Sequence, residues 1–222
     1  MTLCRWCGAF TAAAVVVAGL SAAFVSQDKK PEAPKPQDPK DKGAQEKPMS
    51  KEQADMMAKW TVFMTPGAEH KVLDFKVGKW TLQGKMWMDP NAPPQPITGT
   101  SEMKWMMGGR YLEDNTKGDP MPGMGPFEGM GLSGYDNMRK KYVATWVDNM
   151  GTGVMFMEGT YDPAKKTLTW KGEGPDMHTG KYAPMRTVES LADKDKWMFE
   201  SYGPGPDGKE MKGMEMTYTR VK

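Results

Sequence analysis

The chain has 222 residues, with 30 Lys and Arg against 28 Asp and Glu and a formal net charge of +2. Acids and bases are interspersed, and no basic stripe carries interleaved aromatics, so nucleic acid is not an expected partner. The two cysteines, Cys4 and Cys7, lie near the N-terminus, so a chain without its leader has neither disulfide nor thiolate nucleophile.

Arg5 and the apolar, small-residue run Ala9–Val25 read as an export signal, with "SAA" at Ser21–Ala23 offering small residues for cleavage. A spanning helix needs about 20 apolar residues, so the run is short for an anchor. The expectation is a cleaved signal over residues 1–26, with an uncleaved anchor as the alternative and the sole membrane contact. Residues 27–50, "QDKKPEAPKPQDPKDKGAQEKPMS", have almost nothing to bury and predict a disordered tether. Residues 51–222 then form one domain, exported to the periplasm or the exterior.

Ser50 and Gln53 form a capping box ahead of one helix, in which Met56, Trp60 and Phe63 recur at helical spacing. That helix is expected to pack on or across one end of the domain. "TPGAEHKVL" predicts a further helical turn before Gly78. From Gly78 the period becomes two. Trp80, Leu82, Met86 and Met88 share one face, and Ile97, Gly99, Ser101, Met103 and Trp105 share another. Turn-forming clusters then recur down the chain: "MGG", "KGDPMPGMGP", "DNMRK", "DNMG", "DPAKK", "GPDMHTG", "ADKD" and "GPGPDG". Short turns force antiparallel neighbours. The expected fold is mainly β, an antiparallel up-and-down barrel of roughly eight to ten strands, with a two-sheet sandwich as the runner-up.

Five stretches carry a family likeness: "PGAEHKVLDFKVGKW", "MGGRYLE", "FEGMGLSGYDNMRKKYVATWVD", "MEGTYDPAKKTLT" and "KGMEMTYTR". In order, and over nearly the whole domain, they resemble the bacterial DUF1579 family. The resemblance implies a calycin-like barrel such as those of the lipocalins, and it brings no established function and no accepted catalytic residues. The Met-rich "MPGMGPFEGMG" departs from the family pattern.

A barrel of this size holds packed side chains or one small ligand. The candidate lining comprises Trp80, Trp105, Arg110, Tyr135, Trp146, Asp148, Glu158, Arg186 and Glu200. Buried charges require partners, so Arg110 or Arg186 would face Glu158 or Glu200; the other reading puts these charges at the ends or outside. Met121, Met124 and Met130 offer thioethers that suit Cu(I). Against that, "MxM" pairs at 86/88, 155/157 and 214/216 fall at strand spacing, as core packing needs.

His70 and His178 lie far apart without "HExxH", which disfavours zinc catalysis; each reads as a surface or capping residue rather than a haem ligand. "GLSGY" lacks the spacing of a nucleophile elbow. No cofactor is expected. The functional expectation is an exported barrel that binds a small apolar ligand without catalysis. Alternatives are a structural or interaction protein of the envelope with a solid core, the Met-based Cu(I) binder, and an unrecognised enzyme.

Overall fold

A computed structural model describes residues 48–121, 125–176 and 179–222, with the side chain of Met121 left out. The expected leader and most of the tether, along with Met124 and His178, lie outside these residues. Met49–Lys222 forms one compact unit.

Helix α1, Lys51–Met64, starts where the sequence placed it: the Ser50 side chain accepts from the Gln53 amide, and the Gln53 side chain accepts from the Ser50 amide. None of its residues is buried, however, and Met56, Met57, Trp60, Phe63 and Met64 all face solvent. The helix therefore does not pack across a barrel end as expected. Its C-terminus is held by Asn137, whose amide donates to the carbonyls of Val62, Phe63 and Thr65. Removing residues before Thr65 should shift unfolding stability by less than about 0.5 kcal/mol, because nothing buried is lost. Urea denaturation of the truncated chain checks this, and a loss of several kcal/mol would show that α1 packs on the barrel.

The end is closed instead by the segment that follows, a single turn α2, Ala68–Lys71, running into a 3₁₀ turn, Val72–Lys76. Leu73 is fully buried there. Ten strands follow: β1 Gly78–Met86, β2 Gln95–Met106, β3 Tyr111–Met121, β4 Gly125–Asp136, β5 Lys141–Asp148, β6 Met155–Asp162, β7 Thr167–Asp176, β8 Lys181–Asp193, β9 Lys196–Pro204 and β10 Glu210–Arg220. Each pairs antiparallel with its neighbours in sequence, and β1 pairs with β10, so the barrel closes. Met88 lies past the end of β1 and is exposed, so it does not join the Trp80 face as expected.

The turns are built by the side chains the sequence singled out. Asp136 accepts from the amides of Met138 and Arg139, and Asp162 from those of Ala164 and Lys165. The inward set runs Trp80 and Leu82 on β1, Ser101 and Met103 on β2, Leu112 and Thr116 on β3, and Tyr142 on β5. Leu168 and Trp170 on β7, Thr187 and Glu189 on β8, Trp197 on β9 and Tyr218 on β10 complete it.

Many inward positions are glycine, and there the missing Cβ seats a neighbouring side chain. A Cβ on Gly159 would lie 2.6 Å from the Trp170 ring, and one on Gly129 would lie 2.3 Å from Trp146. Of the two rings, Trp170 is buried in the core, while Trp146 keeps partial exposure. Trp146 stacks further on Phe127 at 12° between planes.

Candidate functional site

The two ends of the barrel interior differ in chemistry. At the end near α2, aromatic side chains tie the closing segment down. The Trp80 indole donates to the Lys76 carbonyl, Trp105 donates to Asp74, and the Tyr142 hydroxyl donates to the Glu69 carbonyl. Arg220, with its guanidinium 4.1 Å above the Trp80 ring, donates to the carbonyls of Phe75 and Val77. These partners come from β1, β2, β5 and β10, so the segment crosses the whole end. His70 belongs to the same closure: it is buried, its Nδ1 accepts from the Gly67 amide, and burial keeps its pKa below the ordinary value. That is a capping role.

Above this closure sits a buried polar cluster. Lys76 Nζ lies 2.7 Å from Glu189 Oε1, with both side chains 7% exposed. Asp114 on β3 accepts from Ser101 Oγ at 2.7 Å and Thr116 Oγ1 at 2.9 Å, both on Oδ1. Burial raises the Asp114 pKa, the Lys76 charge and the two hydroxyls oppose that rise, and Glu189 adds to it. Burial also pushes Tyr218 well up, as do the Asp114 and Glu189 charges. Thr187 Oγ1, Trp197 Nε1 and Glu189 Oε2 are enclosed without a hydrogen-bond partner among the described residues.

Because the folded state holds the Asp114 proton more tightly than the unfolded chain does, the group favours folding most below the ordinary aspartate value of 3.8. That contribution is lost as pH climbs through the raised native value. Asp114→Asn should therefore flatten the fall of stability upward from about pH 4 relative to the parent. An unchanged difference between the two across denaturation curves from acid to neutral pH would exclude it.

Toward the other end the inner wall becomes Gly, Met and aromatic. Ala144, Trp146, Met155, Met157, Met185, Phe199, Ser201, Met214 and Met216 all alternate onto the inner face and keep partial exposure. Asp114 does so too, though packed deep within the barrel. These inward side chains keep more exposure than the polar cluster, while Ala144, Met157, Phe199 and Met216 also pack against the buried core. Two clefts on the surface lie elsewhere. One, of about 280 Å³, runs over the outer wall at Thr81, Thr98 and Lys117; the other, of about 480 Å³, lies beside α2 against Tyr135, Tyr142 and Tyr161.

The predicted lining divides accordingly. Trp146 and Asp148 face inward at the end away from α2, where the Trp146 indole donates to Asp148, which also accepts from the Met150 amide. Trp80, Trp105 and Tyr135 are inward but sit at the closed end, Trp80 being 1% exposed. The remaining four do not line the barrel. Arg110 lies in the β2–β3 turn and donates to the Met107 carbonyl. Glu158 sits beside buried Gly159 and so points outward, to Lys141 and Arg139. Arg186 and Glu200 alternate with inward Thr187 and Phe199 and form outer-wall pairs with Glu210 and Lys212. Arg186 also lies 3.9 Å above the Tyr202 ring. Of the thioether set, Met130 is 42% exposed, next to inward-facing Gly129 and Gly131.

Lys76, Asp114 and Glu189 were not foreseen. Strand alternation signals the two acids, putting Glu189 in step with Thr187 and Leu191 and Asp114 in step with Leu112 and Thr116, while Lys76, in the 3₁₀ turn, has no such signal.

The model of the DUF1579 family, described as a protein of unknown function, matches residues 65–220. The chain belongs to the DUF1579 family. The match starts where α1 ends, so this helix lies outside the matched residues. No curated protein matches the sequence. Among solved structures, the crystal structure of Rv2717c from M. tuberculosis superposes with a TM-score of 0.54 at 11% identity, covering 71% of this chain and 100% of that one. That likeness speaks for the barrel alone. A de novo designed fluorescence-activating β-barrel matches more loosely, with a TM-score of 0.38 at 14% identity over 68% of this chain and 98% of that one.

Proposed function

We propose that this DUF1579 barrel binds a small, mostly apolar molecule in its lumen and carries out no chemistry on it. The observation that carries this reading is the inner wall of the open end. Its rings and thioethers lie close over glycines, and its inward side chains keep partial exposure. A solid core would bury those same residues. Met155, Met157, Met185, Met214 and Met216 suit a pocket for an irregular apolar body, because thioether chains adapt at little strain. The domain acts outside the cytoplasm on a tether; the leader features at Arg5 and Ala9–Val25 support that, while no helix among the described residues is long and apolar enough to cross a membrane.

Titration with the neutral dye N-phenyl-naphthylamine tests the lumen. Dye enclosed beside Trp146 should quench tryptophan emission, and Ser201→Phe, which fills the space from β9, should abolish binding. Equal binding by the filled variant would place the dye on the outside and sink the reading.

A second reading, an interaction protein of the envelope, draws on α1, whose exposed Trp60 and Phe63 rings meet edge-on at 5.5 Å. Loss of a co-purifying partner on removal of α1, with dye binding intact, would favour it.

A further inference from the structure

The lumen floor has an unbalanced charge. Lys76 bridges Glu189 at 2.7 Å, which leaves Asp114 as a second carboxyl that shares the Lys76 charge without a salt bridge of its own among the described residues. Its Oδ1 takes both hydroxyl donors, from Ser101 and Thr116, while Oδ2 makes no hydrogen bond among the described residues. Thr187 Oγ1, Glu189 Oε2 and Trp197 Nε1 are enclosed nearby without a hydrogen-bond partner among the described residues. Tyr218, only 4% exposed, likewise makes no side-chain hydrogen bond there, and it feels the charges of Asp114 and Glu189. One carboxylate oxygen and one hydroxyl without hydrogen bonds among the described residues thus remain in the buried polar cluster.

Resting on the ligand-binding reading above, we propose that the lumen recognises an organic ammonium, whose N–H donates to Asp114 Oδ2 while its apolar body lies along Met157, Phe199 and Met216. Three independent features converge on that chemistry. A buried carboxylate without an ion partner is costly, and a cationic ligand cancels it. Two hydroxyls donating to one oxygen hold the carboxylate in place and aim its other oxygen, so the site is organised before the ligand arrives. Aromatic faces and thioethers tolerate a cation where aliphatic walls gain nothing from it. A carboxylate ligand would meet Asp114 and Glu189 as like charges. A neutral alcohol would fit the space but leave the charge unbalanced.

The test compares n-hexylammonium, n-hexanol and hexanoate by calorimetry on the full chain at neutral pH. The ammonium should bind about thirty-fold more tightly than the alcohol, as a buried, hydrogen-bonded charge pair commands, and hexanoate should bind more weakly than either. Asp114→Asn should erase the ammonium's advantage over the alcohol. Should that variant fail to fold, the three-ligand comparison on the parent protein still decides, and Tyr218→Phe supplies a second variant that should weaken the ammonium more than the alcohol. Equal affinities for ammonium and alcohol would overturn the carboxylate anchor while leaving the lumen reading intact, with Oδ2 then serving an ordered water. No binding by any of the three would overturn both.

Discussion

Lys76→Met should destabilise the barrel by about 3–5 kcal/mol, because it leaves Glu189 charged and enclosed with nothing to offset it. Glu189 already holds one oxygen without a partner, so losing the contact at 2.7 Å strips the other as well. The double variant Lys76→Met with Glu189→Met should recover most of that loss, since paired charges inside a protein are often matched by apolar residues of similar volume. Lys79→Met is the control. Its pair with Glu102 spans 3.9 Å with side chains 68% and 57% exposed, and such pairs contribute at most about 1 kcal/mol. Urea denaturation of the four proteins separates the cases. A single variant at Lys76 no worse than the one at Lys79 would mean that Glu189 finds water or a proton instead.

Trp197→Ala should cost a comparable amount, about 3–5 kcal/mol. The ring stacks on Tyr218 with centroids 3.7 Å apart, meets Trp80 and Phe75 edge-on at 6.2 and 5.9 Å, and lies under the Lys76 ammonium at 5.2 Å. Deleting it opens a large void where β1, β9, β10 and the closing segment meet. Trp197→Phe is the informative partner. The indole N–H has no acceptor among the described residues, so removing it relieves an unmet polar group while keeping an aromatic ring. The phenylalanine variant should lose less than about 1.5 kcal/mol, in the range of conservative core exchanges. If both variants lost equally, an unseen acceptor for the indole would be indicated.

The sheet was legible because its inner and outer positions alternate in polarity through β1 and β2, and because Asp136 and Asp162 carry their turns in their own side chains. The closing of one end was not. "EHKVLDFK" offers no helix long enough to announce a role, and Lys76 looks like any other lysine until β8 brings Glu189 to it across 113 residues. The site suffered most where alternation runs backwards. On β8, Glu189 faces in while Val188 faces out, so polarity alone selects Arg186 over the residues beside it. Glu158 could have been placed correctly. The Met155 and Met157 pair claims one face of β6 and leaves Glu158 the other, which the structure obeys.

Joining β1 to β10 has a consequence for how the molecule is made. The seam runs from Trp80 opposite Arg220 to Met86 opposite Met214, so the first ribbon waits for the last before its edge is covered. A nascent chain carries a bare strand edge until β10 emerges, a state open to edge-to-edge aggregation. Contacts this distant along the chain also make for slow closure. Production of the protein therefore depends on keeping incomplete chains apart, and loss of the segment from Glu210 onward should yield insoluble material instead of a smaller barrel.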